Sequence, residues 1–147
     1  MKHLLLCVSL CLAASLAVNA QMIANKKLSP SDLEAAQAET KSAGGQGAQL
    51  VYATRLDAVQ KGTFDSLVVI YGKGSETYGM VVRAGKRYML KVGQAGQLVK
   101  AGDQFQRMGV KYEEGKSPVL RMFALGGGAL RSVDYRFKGT EFVMEGQ

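Results

Sequence analysis

Tryptophan is missing from the chain, histidine occurs once and cysteine twice. Those three side chains, His3, Cys7 and Cys11, all lie in the first eleven residues. They sit in or beside a hydrophobic stretch, Leu4 to Leu16, preceded by Lys2 and followed by Val18-Asn19-Ala20, which offers small or modest side chains where a signal peptidase cuts. The stretch is thirteen residues long, whereas a membrane-spanning helix needs roughly twenty. The expectation is a signal peptide over residues 1–20, no transmembrane segment, and export to the periplasm or beyond. Lipidation at Cys7 or Cys11 is disfavoured, because Leu6 and Leu10 precede them where a small residue is required.

Cleavage after Ala20 leaves 127 of the 147 residues, without His, Cys or Trp. Such a chain cannot carry a Ser-His-Asp or Cys-His triad, and the two usual zinc ligands are gone. No disulfide can staple it, so its core must be hydrophobic. No serine has lysine three positions on, which excludes the Ser-x-x-Lys nucleophile. Gly72-Lys73-Gly74-Ser75-Glu76-Thr77 begins like a dinucleotide loop but lacks the last glycine and the helix that should follow. No cofactor is implied. Of the 19 basic residues, losing Lys2 leaves 18 against 12 acidic, a net of +6. Those charges are scattered, with no basic run interleaved with aromatics, and nucleic acid is not an expected partner.

What is present is mostly strand. Residues 21–47 differ from the rest: Ser29-Pro30-Ser31-Asp32 is a helix start, with Ser29 as cap, Pro30 at the first position and Asp32 at the positive end of the dipole. Leu33, Ala36 and Thr40 form its only apolar stripe, and Gly44-Gly45-Gln46-Gly47 ends it. This reads as a weakly held helix on a tether. From residue 48 to 147 the period changes to two. Gln49–Leu56 alternates, with Leu50, Tyr52 and Leu56 on one face. Ser66–Val92 reads as three strands joined by Gly72-Lys73-Gly74 and Ala84-Gly85-Lys86. The first is apolar at both parities (Leu67, Val69, Tyr71 against Val68, Ile70), hence central and covered on both sides. Further strands are expected at Gln97–Val99, Phe105–Tyr112, Val119–Leu125, Leu130–Lys138 and Glu141–Glu145. Eight or nine short strands without intervening helices predict an all-β antiparallel meander, closing as a sandwich or partly open barrel.

Carboxylate chemistry stays formally open, since a glycosidase needs only two acids about 5–10 Å apart. Glu113 and Glu114 are adjacent in a polar turn, and Asp57, Asp65, Asp103 and Asp134 fall at turns or strand faces, where bonding to the backbone is the ordinary role. Leu56 to Val69, with Asp57, Gly62 and Asp65, resembles the calcium loop of FG-GAP/VCBS-type β repeats. In that family loop positions one, three, five and nine supply ligands and position six is glycine. Asp57, Gly62 and Asp65 match the first, sixth and ninth positions, while Val59 and Lys61 replace two ligands. The resemblance covers about fourteen residues. It implies a binding module with a degenerate loop that has lost its metal, Lys61 pairing with Asp57 or Asp65. Binding residues are expected on an open sheet face: Arg83, Arg87 and Lys91 for anions, with Tyr78 and Tyr88 as stacking platforms. The expected function is a non-catalytic exported module that binds an envelope protein or an anionic polysaccharide. Two rivals are an assembly subunit pairing through edge strands and a carboxylate-dependent hydrolase.

Overall fold

A computed structural model describes residues 28–91, 96–100 and 102–146. The expected signal peptide and the turn after Lys91 lie outside the described residues. Among the described residues eight strands follow one helix: α1 (Pro30–Gly44), β1 (Gln49–Leu56), β2 (Ser66–Lys73), β3 (Glu76–Arg83), β4 (Lys86–Leu90), β5 (Gln104–Lys111), β6 (Val119–Gly126), β7 (Ala129–Phe137) and β8 (Phe142–Met144). They form two four-stranded antiparallel meanders in simple order, β1-β2-β3-β4 and β5-β6-β7-β8. The sheets face each other as a sandwich, with β1 against β5 and β4 against β8, and do not close into a barrel. Tight turns help set the simple order: Lys73 pairs with Glu76, Arg83 with Lys86 and Gly126 with Ala129, so these three hairpins reverse through two residues.

The core lies between the sheets, where Val68, Ile70, Val81 and Leu90 meet Leu120, Met122, Tyr135 and Phe142. β2 is buried from Ser66 to Tyr71, as its two-sided apolar sequence requires. Its other parity, Leu67, Val69 and Tyr71, faces a second cluster that includes Ala36 of α1. The helix therefore docks on the outer face of the first sheet, unlike the weakly held helix expected. Its stripe is thin in hydrophobicity because it is built from small residues, Ala36, Thr40 and Gly44, one turn apart. Small residues let the helix backbone approach the sheet: a Cβ on Gly44 would stand 2.4 Å from that of Ala48 and 2.8 Å from the Tyr71 ring. The buried Thr40 hydroxyl donates to the Ala36 carbonyl at 2.8 Å. Three long side chains from the sheet clamp the outside: Arg55 to Asp32, Arg87 to Glu39, and Lys73 to the Gly44 carbonyl. At the start of the helix, Ser29 Oγ accepts from the Asp32 amide at 3.1 Å.

Two expected strand features are corrected. In β1 the register slips between Leu50 and Tyr52. The bulged Val51 sends Leu50 to the helix side and Tyr52 into the sandwich, not onto one face. Gln97–Val99 is not a strand. Leu98 and Val99 are buried as a plug between the sheets, tied by the Leu98 amide to the Thr77 carbonyl at 2.8 Å. Gly79 makes the room, since a Cβ there would lie 3.0 Å from Leu98.

Candidate functional site

The loop after β1 carries the first concentration of polar chemistry. Asp57 is only 2% exposed. It accepts the Gly62 amide at 2.7 Å and the Tyr112 hydroxyl at 2.6 and 2.5 Å. Burial pushes its carboxyl up, but the Gly62 amide, the Tyr112 hydroxyl and the Lys61 charge outweigh that and hold it below the usual carboxylate range. The same hydrogen bond to Asp57, reinforced by desolvation, pushes the Tyr112 phenol up to about 12. Gly62 supplies the positive φ of 84° that aims its amide at Asp57. Tyr112 follows directly on β5, so this contact fastens the first meander to the second. The Lys61 ammonium stands 5.0 Å from the centre of the Tyr112 ring.

Asp65, expected as a second ligand position, turns elsewhere. It accepts from Thr63 at 3.1 Å, Ser66 at 3.3 Å and Arg83 Nε at 2.8 Å. Thus Arg83, not Lys61, forms the ion pair of this loop. Among the described residues no three acidic, His or Cys side chains gather as a metal-holding group.

The five expected binding residues are dispersed, and Arg83, Arg87 and Lys91 do not share one open face. Val82 pairs with Arg87 and Arg83 with Lys86, so Arg83 and Arg87 point to opposite faces of the sheet. Arg87 is held by Glu39 at 2.8 Å and Ser42 at 3.0 Å on the helix. Tyr78 stacks on Tyr71 at 5.3 Å, its hydroxyl donating to Glu76. Tyr88 lies in the sandwich, edge-on to Phe137 and Phe142. Lys91, just past β4, is exposed. A strict alternation of side chains cannot reveal the engagements of Arg83, Arg87 and Tyr88, because their partners are distant in sequence.

The second meander holds the rest of the charge. Arg121 grips Asp134 through two bonds, 2.6 and 2.8 Å, on its outward face. That guanidinium, more than offsetting burial, holds the Asp134 carboxyl below its ordinary range. Arg136 is buried and reaches Glu145, the Ser117 carbonyl and, at 3.0 Å, Glu113. The Arg107 guanidinium lies 4.5 Å from the Phe123 ring centre, and Leu125 and Leu130, a cross-strand pair, are 41% and 61% exposed. Among the described residues no helix covers this outward face, whose Arg107 and Arg121 alternation places opposite the core. Its signal was available: Arg121 interrupts the apolar run of β6 at the parity where β2 has Val69. No family model matches the chain, and no curated protein or solved structure was found to be similar to it.

Proposed function

We propose that this protein is an exported, non-catalytic β-sandwich that acts as a binding or accessory module in the cell envelope. Its partner is an envelope protein or an anionic polysaccharide. The observation that carries this reading is the employment of the acidic side chains. Asp32, Glu39, Asp57, Asp65, Glu113, Asp134 and Glu145 each hold an arginine, a backbone amide or a tyrosine, and they brace helix to sheet, loop to sheet or strand to strand. Acids so engaged serve architecture. The chain has no His or Cys beyond residue 11 to take over general acid–base or nucleophilic work.

The surface we assign to binding is the outward face of the second meander, where Arg107 over Phe123 adjoins exposed Leu125 and Leu130. Arginine and aromatic side chains together favour partners that combine anionic groups with flat or apolar surface. Co-sedimentation with isolated envelope tests it: wild type should pellet, and a Phe123→Ser/Leu130→Ser variant should lose most of that association while keeping its fold. Equal pelleting by both contradicts the assignment. The rival of assembly through edge strands is weakened by the edges themselves. β1 and β5 each carry a bulge, and β8 spans only Phe142–Met144; such features discourage edge pairing. Sedimentation equilibrium across a hundredfold concentration range should return a monomer mass, and a rising mass would favour assembly.

A further inference from the structure

A cavity of about 190 Å³ opens at one corner of the sandwich, where β8 stops short and, among the described residues, the first half of β7 has no strand partner on that side. Its apolar wall is formed by Leu98, Met122, Ala124, Val133 and Met144. At its mouth stand Asp103 and Arg131, 3.9 Å apart, the longest of the ion pairs among the described residues. The Asp103 side chain is 14% exposed, yet among the described residues its carboxylate accepts no hydrogen bond. A half-buried carboxylate held by one long ion pair contrasts with the closely bonded acids elsewhere in the molecule. Gly126 makes the position possible: a Cβ there would lie 1.9 Å from Asp103 Oδ1.

We propose that this corner is a binding site for the α-ammonium end of an apolar amino acid, free or at a peptide N-terminus. The ammonium replaces the long Arg131 contact on Asp103. The side chain enters the apolar wall, and the ligand's carboxylate or first carbonyl meets Arg131 with Lys100 beside it. The volume matches about six waters at ~30 Å³ each, which suits one branched or thioether side chain and excludes a large ring system. Asp103, Arg131 and the apolar wall are distinct from the Arg107, Phe123, Leu125 and Leu130 assigned to envelope binding, so either assignment can fail without the other.

The test is a titration of the methyl-labelled protein with leucine, a Leu-Gly-Gly tripeptide and N-acetyl-leucine, read by methionine methyl resonances. Leucine or the tripeptide should shift Met122 and Met144 saturably and leave Met80 and Met89, under α1, unmoved. Saturation by leucine but not by the tripeptide identifies the free amino acid as ligand, and the reverse result identifies a peptide terminus. N-acetyl-leucine and the Asp103→Asn variant should each bind about tenfold more weakly or worse, from the lost charge-assisted hydrogen bond. The idea is overturned if neither leucine nor the tripeptide moves Met122 and Met144 in the wild type. It is equally overturned if N-acetyl-leucine binds as well as leucine, a comparison that holds even where Asp103→Asn does not fold.

Discussion

The two halves of the sandwich are the same meander used in two ways. Each has four antiparallel strands in sequence order, and each first strand is bulged near its start, at Leu50/Tyr52 and Phe105/Arg107. Their inner faces jointly make the core. Their outer faces differ. On the first sheet Leu67, Val69, Tyr71 and Met80 are dry under α1, whereas on the second Arg121 bonds Asp134 and Arg107 covers Phe123. One parity of one middle strand thus separates a layer of the core from a surface that meets the outside.

The sharpest break of that comparison is a charge placed at matching positions. Val69→Asp buries a carboxylate at a fully covered site and should cost on the order of 4 kcal/mol or leave the protein unfolded. Phe123→Asp, on the outward face, should cost about 1 kcal/mol, mostly the contact with Arg107. Urea denaturation of both variants gives the answer, and similar costs would show that the second sheet is covered after all. Next in size is Gly44→Ala. Its Cβ has no room beside Ala48 and Tyr71, so the end of α1 must lift, at about 1–3 kcal/mol. Hydrogen exchange should quicken in α1 while the second sheet stays protected.

A pH titration should register the braces. Asp32, Asp57, Asp65 and Asp134 have carboxyls held below their ordinary range, for Asp32 and Asp134 chiefly by the arginines bonded to them. Their contribution is complete above the unfolded carboxyl value of about 3.9 and is lost as pH falls through the lower folded values. Stability should therefore decline below about pH 4. Tyr112 behaves oppositely: with its phenol pushed up to about 12, its contribution is complete below the unfolded value near 10 and is lost as pH rises from there through the folded value. Tyr112→Phe should lessen the alkaline decline without abolishing it, because burial also pushes up the phenols of Tyr52, Tyr71 and Tyr135. The smallest effect belongs to Arg121 and Asp134, about a quarter to a third exposed. Their coupling in a double-mutant cycle should be about 1 kcal/mol or less.

Much of this architecture is written locally. β2 announces its two-sided burial because both parities are apolar, and Ser29-Pro30 marks where α1 begins. The docking of that helix is not legible, because Ala36, Thr40 and Gly44 contribute closeness more than hydrophobicity, and closeness depends on the surface opposite. The bulge at Val51 is equally hidden: alternation continues on paper through a residue the register skips. The candidate sites were the least legible part. Asp57 meets Tyr112 only because the two meanders face each other, and Asp103 meets Arg131 only through the pairing of β5, β6 and β7. Arg83, Arg87 and Tyr88 looked like ligand-binding groups because their structural partners, Asp65, Glu39 and the Phe137–Phe142 pair, lie far along the chain.

Hydrogen exchange of the protein with and without isolated envelope tests most directly whether the first meander is the scaffold and the second the working face. Added protection should fall in residues 104–137, with residues 30–44 and 66–73 unchanged. Added protection confined to residues 66–91, with the second meander unaltered, would contradict the account and return attention to Lys91 and the β3–β4 edge.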